Sequence, residues 1–224
     1  MPYPLYILDN ASQDNSYERL IYWKNILKRN VNIFRNRENI GFAKANNQLV
    51  RLTQSKIIVL LNPDIEFRSD FIKPCANKAN LMDALIAPQL CDTKYGHYIH
   101  YAPFPDDPTA LIKELAYRFL PYFSAIKVDW LQGACWFLPR KIFDEINGFD
   151  ESYFVYTEDL EFCRNLKDKF VPRILMNTQK VFHPRTRIST EKQRIIDQNM
   201  VHYFRNRDQS LWKLRNSLRQ FFSI

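Results

Sequence analysis

Ile57-Ile58-Val59-Leu60-Leu61-Asn62-Pro63-Asp64 decides how this chain folds: five consecutive apolar residues run straight into three turn formers. Five residues is the length of a buried strand, far short of the ~20 that span a bilayer. An unbroken apolar run suits a strand covered on both faces, so a place at the centre of a mostly parallel sheet is expected. The carboxylate that ends it has two readings. It is a turn residue, since Asn, Pro and Asp all favour turns, or it is a hard oxygen ligand that holds a divalent cation against a diphosphate.

Towards the N-terminus, Leu5-Tyr6-Ile7-Leu8 reads as a short strand stopped by Asp9-Asn10-Ala11-Ser12. A helix is expected over residues 17–28, a second strand at Val31-Asn32-Ile33-Phe34 and a second helix over residues 43–52. Strand, helix, strand, helix, strand is the order of an α/β layer architecture. In such sheets ligands bind outside the carboxyl ends of the strands. The polar turns at Asp9, Gly41 and Asp64 therefore converge on one edge. Gly41 opens a helix whose free N–H groups suit a phosphate, although a lone glycine is a weak signal.

Towards the C-terminus, residues 90–107 are rich in Tyr, His and Pro and read as a long loop, and residues 128–181 complete the core. Thr157-Glu158-Asp159 either caps a helix and fills its first turn with acid, or carries a general base. His183, just before Pro184, is a packing residue unless Asp64 supplies the rest of a metal site. Residues 185–224 are basic and helical in pattern, with Arg205, Arg207, Lys213, Arg215 and Arg219 among Tyr203, Phe204, Leu211, Trp212 and Leu214. This tail, with Phe221 and Phe222, either lies on an anionic membrane surface or packs on the core as a final helix.

The 224 residues, 46% of them hydrophobic, suffice for one sizeable packed domain. Four glycines against twelve prolines disfavour a barrel of short, glycine-turned strands. The net charge, 32 − 24 = +8, suits nucleic acid, anionic lipid or phosphate-bearing substrates. No nucleic-acid motif accompanies it, so nucleic acid ranks last. Cys75, Cys91, Cys135 and Cys163 are far apart without metal-ligand spacing, as expected of buried free thiols in a reducing compartment. With no membrane-spanning run and no basic-then-apolar leader, the expected location is cytoplasmic, at most peripheral to the inner face of the membrane.

These signals occur in a familiar order. Asp9-Asn10-Ala11-Ser12-Gln13-Asp14-Asn15-Ser16 resembles the Asp-Asn-x-Ser-x-Asp-x-Ser element of family 2 glycosyltransferases, and Asn39-Ile40-Gly41-Phe42-Ala43-Lys44-Ala45-Asn46-Asn47 resembles that family's next element. Leu60-Leu61-Asn62-Pro63-Asp64 is similar to its Asp-x-Asp-type metal motif, in the Asn-Pro-Asp form of the rhamnosyltransferase-like branch. Asp129-Trp130-Leu131-Gln132-Gly133-Ala134-Cys135 resembles its acceptor-side element. Gly148-Phe149-Asp150-Glu151 and Tyr156-Thr157-Glu158-Asp159 resemble the segments that carry its catalytic base.

The resemblance covers nearly the whole chain and implies a GT-A type, Rossmann-like mixed α/β sheet flanked by helices. It implies a glycosyltransferase domain over residues 1–184, with a nucleotide-sugar half of about 1–90 and an acceptor half of about 91–184, followed by the basic tail. Asp9 would contact the nucleotide base, with Asn10, Asp14, Gly41, Phe42 and Asn46 on the nucleotide-sugar side. Asn62 and Asp64 would lie near the diphosphate and a Mg²⁺ or Mn²⁺ ion, with Asp64 the main ligand and His183 a further one. Asp159 would be the base, Glu158 would support the acceptor pocket, and Trp130, Gly133 and Ala134 would line the acceptor side. The implied reaction is inverting transfer from a UDP- or dTDP-sugar to a saccharide or lipid-linked acceptor, as in bacterial surface-polysaccharide synthesis. The family begins with a further strand and helix, and here only Met1–Pro4 precede Leu5, so the chain is expected to be shortened at its N-terminus. The alternative is a catalytically inactive binding module of the same lineage that docks on a partner or membrane.

Overall fold

A computed structural model describes residues 3–27, 30–67, 69–92, 96–98, 100–117, 124–184, 189–205, 207–210, 212–214 and 217. The first half alternates as the sequence suggests: β1 (Leu5–Asp9), α1 (Ser16–Leu27), β2 (Val31–Arg35), α2 (Phe42–Arg51) and β3 (Ile57–Leu61). Then come α3 (Ile72–Met82), β4 (Leu85–Asp92), β5 (Gly96–His97), β6 (Tyr101–Ala102), α4 (Ala110–Tyr117), β7 (Ala125–Lys127) and β8 (Trp130–Leu131). The chain continues through β9 (Cys135–Pro139), α5 (Arg140–Glu145), α6 (Glu158–Asp168), β10 (Arg173–Phe182) and α7 (Thr190–Tyr203).

The sheet corrects one expectation. β3 is an edge strand of a mixed six-stranded sheet ordered β3-β9-β4-β10-β7, with β5 paired to β4, and its partner β9 runs antiparallel to it. β1 and β2 form a separate parallel pair. An apolar run records that a strand is covered, but neither the direction of its neighbour nor how many neighbours it has. Val59 and Leu61, which alternate with buried Ile58 and Leu60, are 37% and 39% exposed, so the expected cover on both faces holds on one face only. The all-buried strands are β4, which pairs with β9, β10 and β5, and β9, which lies between β3 and β4. A second correction concerns residues 90–107, expected as a loop. They contain the end of β4 together with β5 and β6, strands of two residues each, too short for alternation to show.

Helices cover both faces of the sheet because β9 alternates between two cores. Trp136 and Leu138 join one apolar cluster, and Cys135 and Phe137 the other. α3 packs Phe71, Cys75 and Ala79 on the second face. α6 packs Leu160, Phe162, Cys163 and Leu166 on the first, where Trp136 stacks on Phe149 at 5.9 Å and Phe149 meets Phe162 at 4.7 Å. Met200, Tyr203 and Phe204 at the end of α7 belong to this same cluster. All four cysteines are buried thiols outside any disulfide. Among the described residues no helix is long and apolar enough to cross a membrane.

β10 breaks register with β4 between Met176 and Lys180, opposite Pro88. Proline has no N–H to give the ladder, and the bulge absorbs the gap. Beyond it, Phe182 exchanges two backbone hydrogen bonds with Glu66, at 2.7 and 2.8 Å, and His183 N–H donates to the Cys91 carbonyl. These bonds bring residue 183 beside the turn that ends β3.

Candidate active site

Four elements meet at the carboxyl ends of the strands. At the end of β1, Asp9 is 4% exposed; it contacts Arg35 Nε at 3.1 Å and accepts the Ser12 N–H. Asn10 uses its amide fully: Oδ1 accepts from Asn36 Nδ2 and Ile40 N–H, and Nδ2 donates to Asn39 Oδ1 and the Gly41 carbonyl. It ties the loop after β2 to the end of β1. Asp14 accepts the Ser16 N–H at the start of α1, and that bonding to Ser16 holds its carboxyl below the usual range. Beside these residues lies a cavity of about 370 Å³ lined by Ala11, Ser12, Gln13, Arg35, Asn36 and Arg37.

The next element braces α2 against the loop after α5. Gly41 has φ +83°, and a Cβ there would run into the Phe154 carbonyl, which instead accepts the Phe42 N–H at 2.7 Å. The Phe42 ring turns into the core against Phe149, and Asn46 Nδ2 donates to the Phe42 carbonyl. Asn47, 2% exposed, exchanges two hydrogen bonds with the Phe149 backbone and donates to Glu151 Oε1.

The turn after β3 presents Asp64 to solvent with a side chain 46% exposed. Its Oδ1 lies 3.5 Å from Nε2 of His183, whose buried ring is held on the other side by Tyr98 Oη at 2.6 Å from Nδ1. One exposed carboxylate beside one oriented imidazole fits a cation such as Mn²⁺ that takes its remaining ligands from water and phosphate oxygens. Among the described residues no group of three or more His, Cys, Asp or Glu could hold a metal without such help.

The fourth element is the start of α6. Asp159 is half-buried; Oδ2 accepts the Gly133 N–H at 2.9 Å and Oδ1 accepts its neighbour Leu160 N–H at 2.8 Å. Glu158, 6% exposed, has an Oε2 without a hydrogen-bond partner. Burial, reinforced by the adjacent Asp159 charge, pushes Glu158 up to about 8. Burial also raises Asp159, opposed by the Gly133 and Leu160 N–H groups and by the nearby Trp130 indole. The indole Nε1 lies near without closing a hydrogen bond. Backbone donors and the helix N-terminus favour the charged form of Asp159, whereas burial outweighs the backbone hydrogen bond that favours it at Glu158. Gly133 leaves room for this contact: a Cβ there would stand 3.2 Å from Asp159 Cβ and would press on that side chain.

A continuous path joins the two carboxylate elements. Asp159 is bonded to Gly133, whose neighbour Ala134 accepts the Asn62 N–H at 2.9 Å, two residues before Asp64. Arg35, Arg37 and Tyr98 are additions that sequence patterning did not single out. Tyr98 lies in a stretch that reads as a loop rich in aromatic residues.

The model of a family described as "Glycosyl transferase family 2" matches residues 1–146. The chain is 26% identical over 186 residues to the rhamnosyltransferase WbbL of Escherichia coli strain K12, covering 71% of this chain and 70% of that one. It is 24% identical over 135 residues to the low-salt glycan biosynthesis hexosyltransferase Agl10 of Haloferax volcanii, covering 56% of this chain and 42% of that one. The structure of GalNAc-T7 with UDP, GalNAc and Mn²⁺ has the same fold at a TM-score of 0.67 and 13% identity, over 88% of this chain and 42% of that one. The chain thus spans less than half the length of the hexosyltransferase and of GalNAc-T7. With the match running through the Asp9, Gly41, Asp64 and Gly133 elements in order, this chain belongs to glycosyl transferase family 2.

Proposed function

We propose that the site transfers a sugar from a nucleotide-sugar donor, a UDP- or dTDP-sugar, to a hydroxyl of a saccharide or lipid-linked acceptor, with inversion at the anomeric carbon. The observation that carries this reading is the hydrogen-bonded path from Asp159 through Gly133 and Ala134 to the Asn62-Pro63-Asp64 turn. In this reading it links a proton acceptor to a cation ligand through three hydrogen-bonded segments, at residues 159, 133–134 and 62–64.

In this reading Asp159 takes the proton of the acceptor hydroxyl while that oxygen forms a bond to the anomeric carbon. The bond from that carbon to the diphosphate oxygen breaks on the opposite face. Gly133 and Leu160 N–H groups aim Asp159 and favour its charged form, while burial disfavours a second charge on Glu158 beside it. Asp64 and His183 would hold Mg²⁺ or Mn²⁺, which supplies charge stabilisation to the departing nucleoside diphosphate. Arg35 and Arg37 offer cationic walls to the nucleotide at the cavity after β1 and β2. GalNAc-T7 was solved with UDP and Mn²⁺, which supports this assignment of donor and ion by analogy.

A role in surface-polysaccharide synthesis fits relatives named for rhamnosyl transfer and glycan biosynthesis. A peripheral membrane contact would rest on the exposed Arg205 and Lys213, since Arg207 is engaged by Glu161. The experiment is a nucleotide-sugar panel with Mn²⁺: a melting-temperature rise with a UDP- or dTDP-sugar, and turnover that falls ~10²-fold in Asp159→Asn, are expected. No shift with any donor, or full turnover in Asp159→Asn, overturns the reading.

A further inference from the structure

The turn that delivers Glu158 and Asp159 has an unusual backbone. Tyr156 and Thr157 have φ of 65° and 73°, both left-handed and neither glycine. Two such residues in succession persist only where the surroundings over-determine them. Thr157, at the N-cap of α6, makes no side-chain cap, so the turn is not held from within.

It is held from α7. Asn199 Nδ2 donates to the Val155 carbonyl at 2.8 Å and to the Tyr156 carbonyl at 2.7 Å, using both hydrogens of the amide. One residue earlier, the Phe154 carbonyl accepts from Phe42. Three consecutive carbonyls are therefore clamped by two separate elements. Asn199 itself is fixed, because the following turn of α7 buries Met200 and Tyr203 in the main core. Past the helix end, Arg207 makes a two-point ion pair with Glu161 of α6, at 2.8 and 2.9 Å. Tyr203 Oη donates to Asp106, which also pairs with Arg164 of α6. The helix carrying Asn199 is thus tied to the body of the helix carrying Asp159, and the Asn199 amide holds the turn that starts it.

We propose that Asn199 is a positioning residue for the base. Its amide pins the left-handed 155–157 turn and so sets the angle at which α6 presents the Asp159 carboxylate to the Gly133 N–H. The assignment of Asp159 as base rests on the function proposed above; the clamp does not. Without the two donors the turn relaxes towards ordinary φ values, the start of α6 rotates, and Asp159 leaves Gly133.

The test uses the full chain and three variants. Asn199→Leu and Asn199→Asp remove the donors at similar size, and Gln198→Ala is an exposed control on the same helix. The structural readout is hydrogen exchange at the Gly133 amide, which reports the Asp159 contact whether or not the chain turns over. Both donor-lacking variants are expected to exchange it at least about tenfold faster than wild type, and Gln198→Ala is not. The kinetic readout is a split: kcat falls by roughly 10- to 100-fold while the KM for the nucleotide sugar stays within about twofold. Thr157→Gly, which accepts left-handed φ without a clamp, should restore part of the loss in the Asn199→Leu background. A mere loss of helix packing would not be rescued in this way. Unchanged Gly133 protection in the variants overturns the clamp, as does failure to fold that Thr157→Gly leaves uncorrected. A wild-type chain without turnover overturns the function instead, and the Gly133 exchange still decides the clamp.

Discussion

Glu158 and Asp159 are neighbours in sequence but differ in what solvates them, and the difference is measurable. Glu158 is raised to about 8 from an ordinary 4.5 by burial and by the Asp159 charge. A carboxyl whose folded pKa is raised gives the folded state an extra proton between those two values. Its stabilising effect is full below about 4.5 and is lost as pH rises towards 8. Glu158→Gln should therefore gain on wild type between pH 5 and pH 9 by something of the order of 2–4 kcal/mol, roughly 5–10 °C in Tm. Parallel Tm profiles for the two proteins would rule out a buried carboxyl raised in this way. Asp159 is also raised, so turnover should fall on the acid side as the base is protonated.

Gly133 and Tyr98 act through their neighbours. Gly133→Ala brings a methyl within 3.2 Å of Asp159 Cβ and should lower kcat by at least about tenfold with little change in donor KM. Tyr98→Phe frees Nδ1 of His183 and should weaken Mn²⁺ binding by roughly 10- to 100-fold, read by electron paramagnetic resonance in the presence of UDP. The resemblance marks Gly133 as an acceptor-side residue, and its bond to Asp159, 26 positions away, has no local signal. Tyr98 was not legible, because nothing local in Tyr98-Ile99-His100 marks which aromatic reaches a residue 85 positions away.

At the scale of elements, the first five were legible because each carries its own pattern. β1 to β3 are short apolar runs ended by turn formers, and α2 shows Ala43, Asn47 and Val50 on one buried face. The partners of β3 were not legible. Whether a strand is central or at an edge depends on β9, about 75 residues on, and no apolar run encodes that pairing. β5 and β6 are held by their partners in β4 and β8 rather than by propensity. Asn47 shows the opposite case, a motif residue whose work here is bracing: it joins α2 to the backbone at Phe149, and a Cβ on Gly148 would stand 2.5 Å from its Oδ1. Asn47→Leu should cost roughly 2–4 kcal/mol, because it strands the buried Phe149 N–H and carbonyl. Urea unfolding measures this, and a change under 0.5 kcal/mol would contradict it.

For the molecule as a whole, the tail offered two readings from sequence, and the structure gives α7 contacts on the core and on α6. Arg207, which reads as surface charge, is about one-fifth exposed and paired at two points with Glu161. Arg207→Ala leaves that partly buried carboxylate alone and should destabilise by roughly 2–4 kcal/mol. Unchanged stability accompanied by loss of liposome binding would instead favour a membrane role for this residue. The +8 charge is thus partly spoken for inside the fold, with Arg173 also folded in against Asp129 and Arg164 against Asp106. The expectations drawn from Arg215, Arg219, Leu211, Phe221 and Phe222 fall outside the described residues.

For this transfer a cation at Asp64 and a base at Asp159 must serve one cleft. Paramagnetic broadening of backbone amide resonances by Mn²⁺ with UDP reads that proximity directly. Strong broadening at Asp64, Gly133 and Ala134, lost in Asp64→Asn, is the predicted result. Broadening centred elsewhere, with Gly133 and Ala134 left sharp, would contradict it.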